Sequence, residues 1–546
     1  MADSSQPENW SWRDRAAGSV PRGRTLDPTV EPVPGIQAFP TVYVPDRLLV
    51  SSESKSRQSQ LRDLDATAAT FGWRIELEDL RGGALRGFDA APEPLLPGVP
   101  GVTRVRVVAP GETPDADSPL APDAWRLLQR TRRHTKSRLE GVGLDHVLAI
   151  DPVGVNPFTA TNPFTATNPF TATNPFTATN PFTATNPFTA TNPFGAAEYA
   201  RPGCGGRQPI ARLGAGPVRT ATLARGRRRP VVAILDTGCG VHDWMPDDIV
   251  TRSLELDGVP IGLTDEADPE KYGDLYGQLD GEIDPVPGHG TFIAGVVRQL
   301  APEADIVSVR LANALGVVEE SLLIRTLAEV IELVRRHAAG DEGGVAIDVL
   351  NLSLGFYHET PEDGLFSRTV YDLLRVAREL GVAVVCSAGN DAIDRPSFPA
   401  ALWAWPGGDS GIEPDEFAQH VAVGALNPGA TSVALFSNVG PWVHVYAPGA
   451  AIVSCLPAFE GGRQATTRLD LYGHRRQTIA VEDYRGGFAT WSGTSFAAPY
   501  VAGVIAAELG MVPLTKTRAR ADAVERMRKA TRQALSELDQ ADGSRV

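Results

Sequence analysis

The sequence predicts an α/β protein: a parallel sheet with helices on both faces, preceded by a small α+β domain. Two patterns carry that expectation. Beyond Pro230 the apolar residues come in short unbroken runs separated by helical segments, as in parallel strands buried on both sides. Before residue 151 apolar and polar residues alternate instead, as in half-buried strands. A tract of exact hexapeptide repeats divides the two patterns.

Residues 1–36 are rich in Pro, Gly, Ser and charge, the composition of a disordered arm. A small domain is expected over 37–150. TVYVPDRLLV (41–50) reads as a strand, and Leu61, Leu64, Ala68 and Phe71 then mark one face of a helix. RIELEDL (74–80) and VTRVRVVAP (102–110) alternate as strands. A helix at Ala124–Arg133 and a strand at His146–Ile150 complete the order β-α-β-β-α-β, the ferredoxin-like arrangement.

From Asn156 the hexamer NPFTAT occurs six times, and a last NPF ends at Phe194. Proline every sixth residue removes a backbone donor and forbids a continuous helix, so 151–200 reads as an extended or disordered linker, with a hexapeptide β-helix as the structured alternative.

The large unit is expected over 201–512. Its apolar runs are VVAILD (231–236), ADIVSV (304–309), IDVLNLSL (347–354), GVAVVCSAG (381–389) and HVAVGAL (420–426). The clearest helix is Ser321–Ala338, with Leu323, Leu327, Ile331 and Val334 on one face and Gly340 as its stop signal. A charged helix, Arg518–Leu538, is expected as an appendage within the tail 513–546.

Three motifs in this unit carry chemistry. VVAILDTG puts Asp236 at the carboxyl end of a buried strand, where open α/β sheets hold their ligand-contacting residues. GHGTFIAGVV opens a helix at His289, and WSGTSFAAPYVAGVIA opens another at Ser495. Each motif alone is weak. Together they supply the residue types that nucleophilic catalysis by serine requires. The hydroxyl needs an imidazole to take its proton, and the imidazole needs a carboxylate to fix its tautomer.

These motifs resemble those of the subtilisin family of serine peptidases, and the resemblance covers roughly 280 residues. APEADIVSVRL, NLSLG, VVCSAGND and VHVYAPGAAIVS resemble the segments lying between the triad motifs. The resemblance implies a serine endopeptidase with Asp236, His289 and Ser495 as its triad. Asn390 and the backbone N–H of Ser495 are implied as oxyanion donors. Ser353, Leu354 and Gly355 match the segment that pairs with substrate backbone, and Ala388 and Gly389 match the primary specificity pocket. Residues 459–488 are a polar insertion, read as a hairpin near the active site. The N-terminal domain resembles the family's inhibitory propeptide, so an intramolecular inhibitor is implied, tethered by the repeats. The competing reading is a non-catalytic binding or regulatory protein that uses the NPF array and N-terminal domain on a protease scaffold.

The net charge of −15 offers no basic face for nucleic acid. No window approaches 18 apolar residues, so no membrane span is expected, and the polar N-terminus lacks the apolar core of a secretory signal. A cytoplasmic location follows as the expectation, with secretion by another route as the alternative. The four cysteines form no CxxC pair, so neither a disulfide framework nor a zinc site is expected. The partner is then a protein or peptide substrate. No cofactor is needed for the chemistry; the resemblance leaves room for structural calcium near Asp265, Asp268 and Asp274.

Overall fold

The computed structural model describes residues 6–18, 23–52, 56–109, 120–150, 195–200, 204–210, 213–219, 222–277, 279, 282–360, 368–408, 411–459, 468–469, 472–476, 484–511, 514–515 and 520–541. The NPFTAT tract lies outside them, as does much of the 459–488 insertion.

The central sheet is parallel throughout. Across it run Val445–Pro448, His420–Leu426, Ala383–Ser387, Val349–Leu352, Val231–Asp236, Asp305–Arg310 and Val250–Thr251. Alternation along Val231–Asp236 explains its wholly apolar sequence: Val232 and Ile234 enter the core on one face, Val231, Ala233 and Leu235 that on the other. The helices His289–Leu300 and Thr494–Gly510 cover the first face, Glu320–Ala339 and Arg368–Glu379 the second. After Val231–Asp236 the chain passes to Asp305–Arg310 on one side and later returns to Val349–Leu352 on the other. The carboxyl end of that strand is therefore a topological switch point, where a crevice opens.

The N-terminal unit has the predicted element order. Its four antiparallel strands lie in the order Val142–Ile150, Val42–Ser51, Val102–Val108, Arg74–Glu78, and helices Arg57–Thr70 and Ala124–Thr135 pack on one face. Val142 and Leu144 point into that small core, whereas Leu148 and Ile150 join the core of the large unit. The last strand begins four residues earlier than the sequence implied, since Val142–Asp145 is as buried as the rest.

Two expectations are corrected. The arm at 1–36 is not disordered where it is described: Trp12–Gly18 is helical, and buried Arg15 pairs with Asp274 at 2.6 Å. Arg24–Thr25 also pairs with the first long strand of the N-terminal unit. Charge and proline content predict disorder only when no partner surface repays the ordering entropy, and here the large unit supplies one. The C-terminal helix Arg520–Ala541 is not an appendage, because Met527, Ala530 and Ala534 are buried in the core against Thr494–Gly510.

Candidate active site

Asp236 ends its strand fully buried, and its Oδ1 accepts hydrogen bonds from the Thr237 N–H at 2.7 Å and from His289 Nδ1 at 2.8 Å. His289 is fully buried at the start of its helix. Two glycines flank it for steric reasons. Gly288 has φ +83°, and a Cβ on Gly290 would lie 2.0 Å from the carbonyl oxygen of Gly238. The first helical turn can therefore press directly on the loop that follows Asp236. Nε2 of His289 is buried without a hydrogen-bond partner, on the imidazole edge away from the carboxylate.

Ser495 stands at the second position of the helix Thr494–Gly510. Its neighbour Phe496 lies 5.1 Å from the His289 ring, and Trp491 meets that ring edge-on at 5.5 Å. Within that helix the sequence leaves one carbonyl without its usual partner. Pro499 lacks the N–H that would bond the carbonyl of Ser495 four residues earlier. The Ser353 hydroxyl donates to that carbonyl instead, at 2.9 Å, and itself accepts from the Asn351 amide at 3.0 Å. A residue matched to the substrate-binding segment thus also holds the backbone of Ser495. Pro499 at that spacing was a visible signal for it.

Asn390 accepts the Thr494 N–H on its side-chain oxygen at 2.8 Å, which directs the amide's carbonyl to the helix start and leaves Nδ2 as the donor end. Ala388 is fully buried, and Gly389 has φ +103°. A Cβ there would meet the Asn438 amide nitrogen at 2.5 Å, so close packing accounts for the small residue. Asn438 in turn donates to the Tyr357 hydroxyl at 2.8 Å, and that hydroxyl donates to Asp391 at 2.5 Å. This polar group lies beside Gly389.

Leu354 and Gly355 do not face an open groove. They pair antiparallel with Ile150 and Ala149 of the N-terminal unit, while Val317–Glu319 pairs with Val147–Ala149 on the other side. The Ile150 N–H also donates to the Gly316 carbonyl at 2.8 Å. The end of Val142–Ile150 is thus a middle strand between two segments of the large unit. Beside it, Asp145 caps the helix Glu320–Ala339 by accepting from the Ser321 N–H at 2.9 Å and its hydroxyl at 2.8 Å. His146 sits between two carboxylates, with Nδ1 2.6 Å from Glu320 and Nε2 2.7 Å from Glu359. Sequence reading missed all of these residues except as parts of a strand or helix. No spacing links His146 to a dipeptide more than 200 positions away.

Glu270 was missed as well. Its buried carboxylate accepts from the Thr237 hydroxyl, from Gly290 N–H at 3.1 Å and from the Thr291 hydroxyl at 2.6 Å. Of the acidic-loop carboxylates considered for calcium, Asp265 pairs with Arg310 at 2.8 Å and Asp274 with Arg15, while Asp268 accepts from Glu270 N–H. Cys239, near Asp236, is buried, and burial pushes its thiol up to about 12. Among the described residues no helix is long and apolar enough to cross a membrane.

Residues 227–538 match the subtilase family, peptidase S8. An intracellular serine protease of Paenibacillus polymyxa is 26% identical over 289 residues, which is 50% of this chain and 65% of that protein. Subtilisin-like protease 3 of Trichophyton tonsurans is 29% identical over 278 residues, or 50% and 56% of the two chains. The chain thus spans less than two thirds of either relative's length. Among solved structures, a cold-adapted subtilisin-like serine proteinase aligns over 57% of this chain and 86% of its own, with 23% identity and a TM-score of 0.34. With more than half of its residues matched to the family, the chain belongs to the subtilase family.

Proposed function

We propose that this protein is a serine endopeptidase held in check by its own N-terminal unit. The observation that carries the catalytic reading is the buried Asp236–His289 hydrogen bond, with His289 Nε2 left unpartnered in a ring that Phe496 of the serine helix approaches to 5.1 Å. Asp236 keeps the Nδ1–H tautomer, so Nε2 is the base. It takes the Ser495 proton as the hydroxyl oxygen bonds to the substrate carbonyl carbon. The same imidazolium then returns the proton to the leaving amine as the peptide C–N bond breaks. Water repeats the sequence on the acyl-enzyme and restores Ser495.

The oxyanion formed in both steps needs donors already in place. The Ser495 N–H is one of the helix's first, which no helical carbonyl satisfies. The Asn390 amide is the other. Asn390→Ala is expected to lower kcat by about 10²–10³-fold with KM nearly unchanged, the size of effect known for the corresponding donor in subtilisin. Steady-state kinetics on a peptide substrate checks it.

The pairing of Ala149 and Ile150 with Gly355 and Leu354 supports the inhibitory reading. An extended peptide substrate would take the same main-chain pairing, so the strand and the substrate compete for one place. A fluorophosphonate probe tests the catalytic reading. Labelling confined to Ser495, slowed by the docked strand, is the expected result. A folded full-length chain that the probe leaves unlabelled at Ser495 even on prolonged exposure overturns it.

A further inference from the structure

The triad has a second carboxylate behind it that the mechanism above leaves unused. Glu270 is 4% exposed and reaches both elements that carry triad residues. Its Oε1 faces the Thr237 hydroxyl after Asp236 and the Gly290 N–H after His289, and its Oε2 accepts from Thr291. The Thr237 hydroxyl also lies 3.1 Å from Asp236 Oδ1, while its oxygen accepts from Gly290 N–H at 2.8 Å. One hydroxyl hydrogen therefore stands between two carboxylates and can serve only one at a time.

We propose that Glu270 is a positioning residue for the triad, setting through the Thr237 hydroxyl how many hydrogen bonds Asp236 receives and hence how basic His289 is. This rests on the proposed peptidase reading. When Glu270 is ionised, the Thr237 hydrogen turns to it, and Asp236 Oδ1 keeps two donors, the Thr237 N–H and His289 Nδ1–H. When Glu270 is protonated, its own O–H donates to Thr237, whose hydrogen passes to Asp236 as a third donor. A carboxylate with a third donor, and one fewer negative charge nearby, holds the imidazolium less strongly. Ionisation of Glu270 thus makes His289 the stronger base.

The surroundings place that ionisation in a useful range. Burial pushes the Glu270 carboxyl up to about 8, against the Thr237 and Thr291 hydrogen bonds and together with the charges of Asp268 and Asp236. Cys239 also faces it, and its raised thiol stays neutral there. Of the cations nearby, Arg252 pairs with Asp247, Arg310 pairs with Asp265, and Lys271 lies over the Tyr272 ring.

The test is kcat against pH for the full-length chain on a saturating peptide. The docked strand competes with substrate and so acts on KM, which leaves kcat to report on Glu270. Wild type is expected to show a second rise of roughly tenfold as pH passes about 8, the scale of one hydrogen bond to a charged group. Glu270→Gln, whose amide donates to Thr237 permanently, is expected to stay on the lower plateau with KM unchanged. Thr237→Val is expected to lose the second rise and Thr237→Ser to keep it, which separates hydrogen relay from packing. A second rise that survives in folded Glu270→Gln or in Thr237→Val overturns the proposal, as does wild type without one. In those cases activity persists and the peptidase reading stands, whereas a wild-type chain that hydrolyses no peptide and is not labelled at Ser495 by the fluorophosphonate probe on prolonged exposure removes both.

Discussion

Ser495→Ala is expected to lower peptide hydrolysis by about six powers of ten while leaving the fold intact. Triad residues act as one unit, and loss of the serine in subtilisin costs about 2 × 10⁶ in turnover for that reason. What survives is the contribution of the oxyanion donors and of substrate binding. The side chain removed is one hydroxyl in a fully buried position, and Ser353 holds the Ser495 carbonyl rather than its hydroxyl. The helix start should therefore be unchanged. A fluorogenic peptide assay beside a thermal melt checks both parts. Residual turnover within about a hundredfold of wild type at an unchanged melting temperature would falsify the assignment of Ser495 as nucleophile.

His146→Ala is expected to loosen the N-terminal unit by about 10²–10⁴-fold. The imidazole is 1% exposed, and the two carboxylates it joins, Glu320 and Glu359, are 2% and 0% exposed. Removing one member of a buried charged group leaves the others unpaired, which costs about 3–5 kcal/mol. The same cluster makes docking depend on pH. Burial alone would lower the His146 pKa, but Glu359 and Glu320 outweigh it and hold the ring at about 10. His358, 4.8 Å from it ring to ring, is driven down to about 4 by burial and stays neutral. The remaining nearby cations, Arg132 and Arg395, bind backbone carbonyls.

The undocked ring titrates near 6.5 and the docked one near 10. Docking thus gains its full contribution below about pH 6.5 and loses it progressively as pH rises through 10. The apparent KM of the full-length chain should fall over that window, and His146→Ala should flatten the change. An apparent KM equally steep in pH without His146 would show that another group links docking to protons.

The two variants probe features that differ in how legible they were. Asp236, His289, Ser495 and Asn390 were readable because each lies in a local motif at a strand or helix end. Strand runs such as VVAILD were readable because a strand buried on both faces must be apolar throughout. The limits of the last N-terminal strand were less so. Val142–Asp145 contains Gly143 and Asp145, which propensity counts against a strand, and the buried Asp145 is held by Ser321 of the other unit and by Arg47 at 3.7 Å. Burial pushes that carboxyl up to about 6, and the Ser321 hydrogen bonds oppose the shift.

By itself the sequence determined the α/β class, the ferredoxin-like order of the first unit and the residues of the proposed catalytic chemistry. These follow from periodicity and short motifs, which depend on neighbours within a few positions. Only the tertiary structure decided that Ile150 lies against Leu354, that His146 bridges Glu320 and Glu359, and that Glu270 stands behind Asp236. Those contacts join residues 33 to 213 positions apart, and each offsets the cost of taking its polar groups out of water. A buried hydrogen bond acquires its worth only after folding has removed the water, so no local pattern records it.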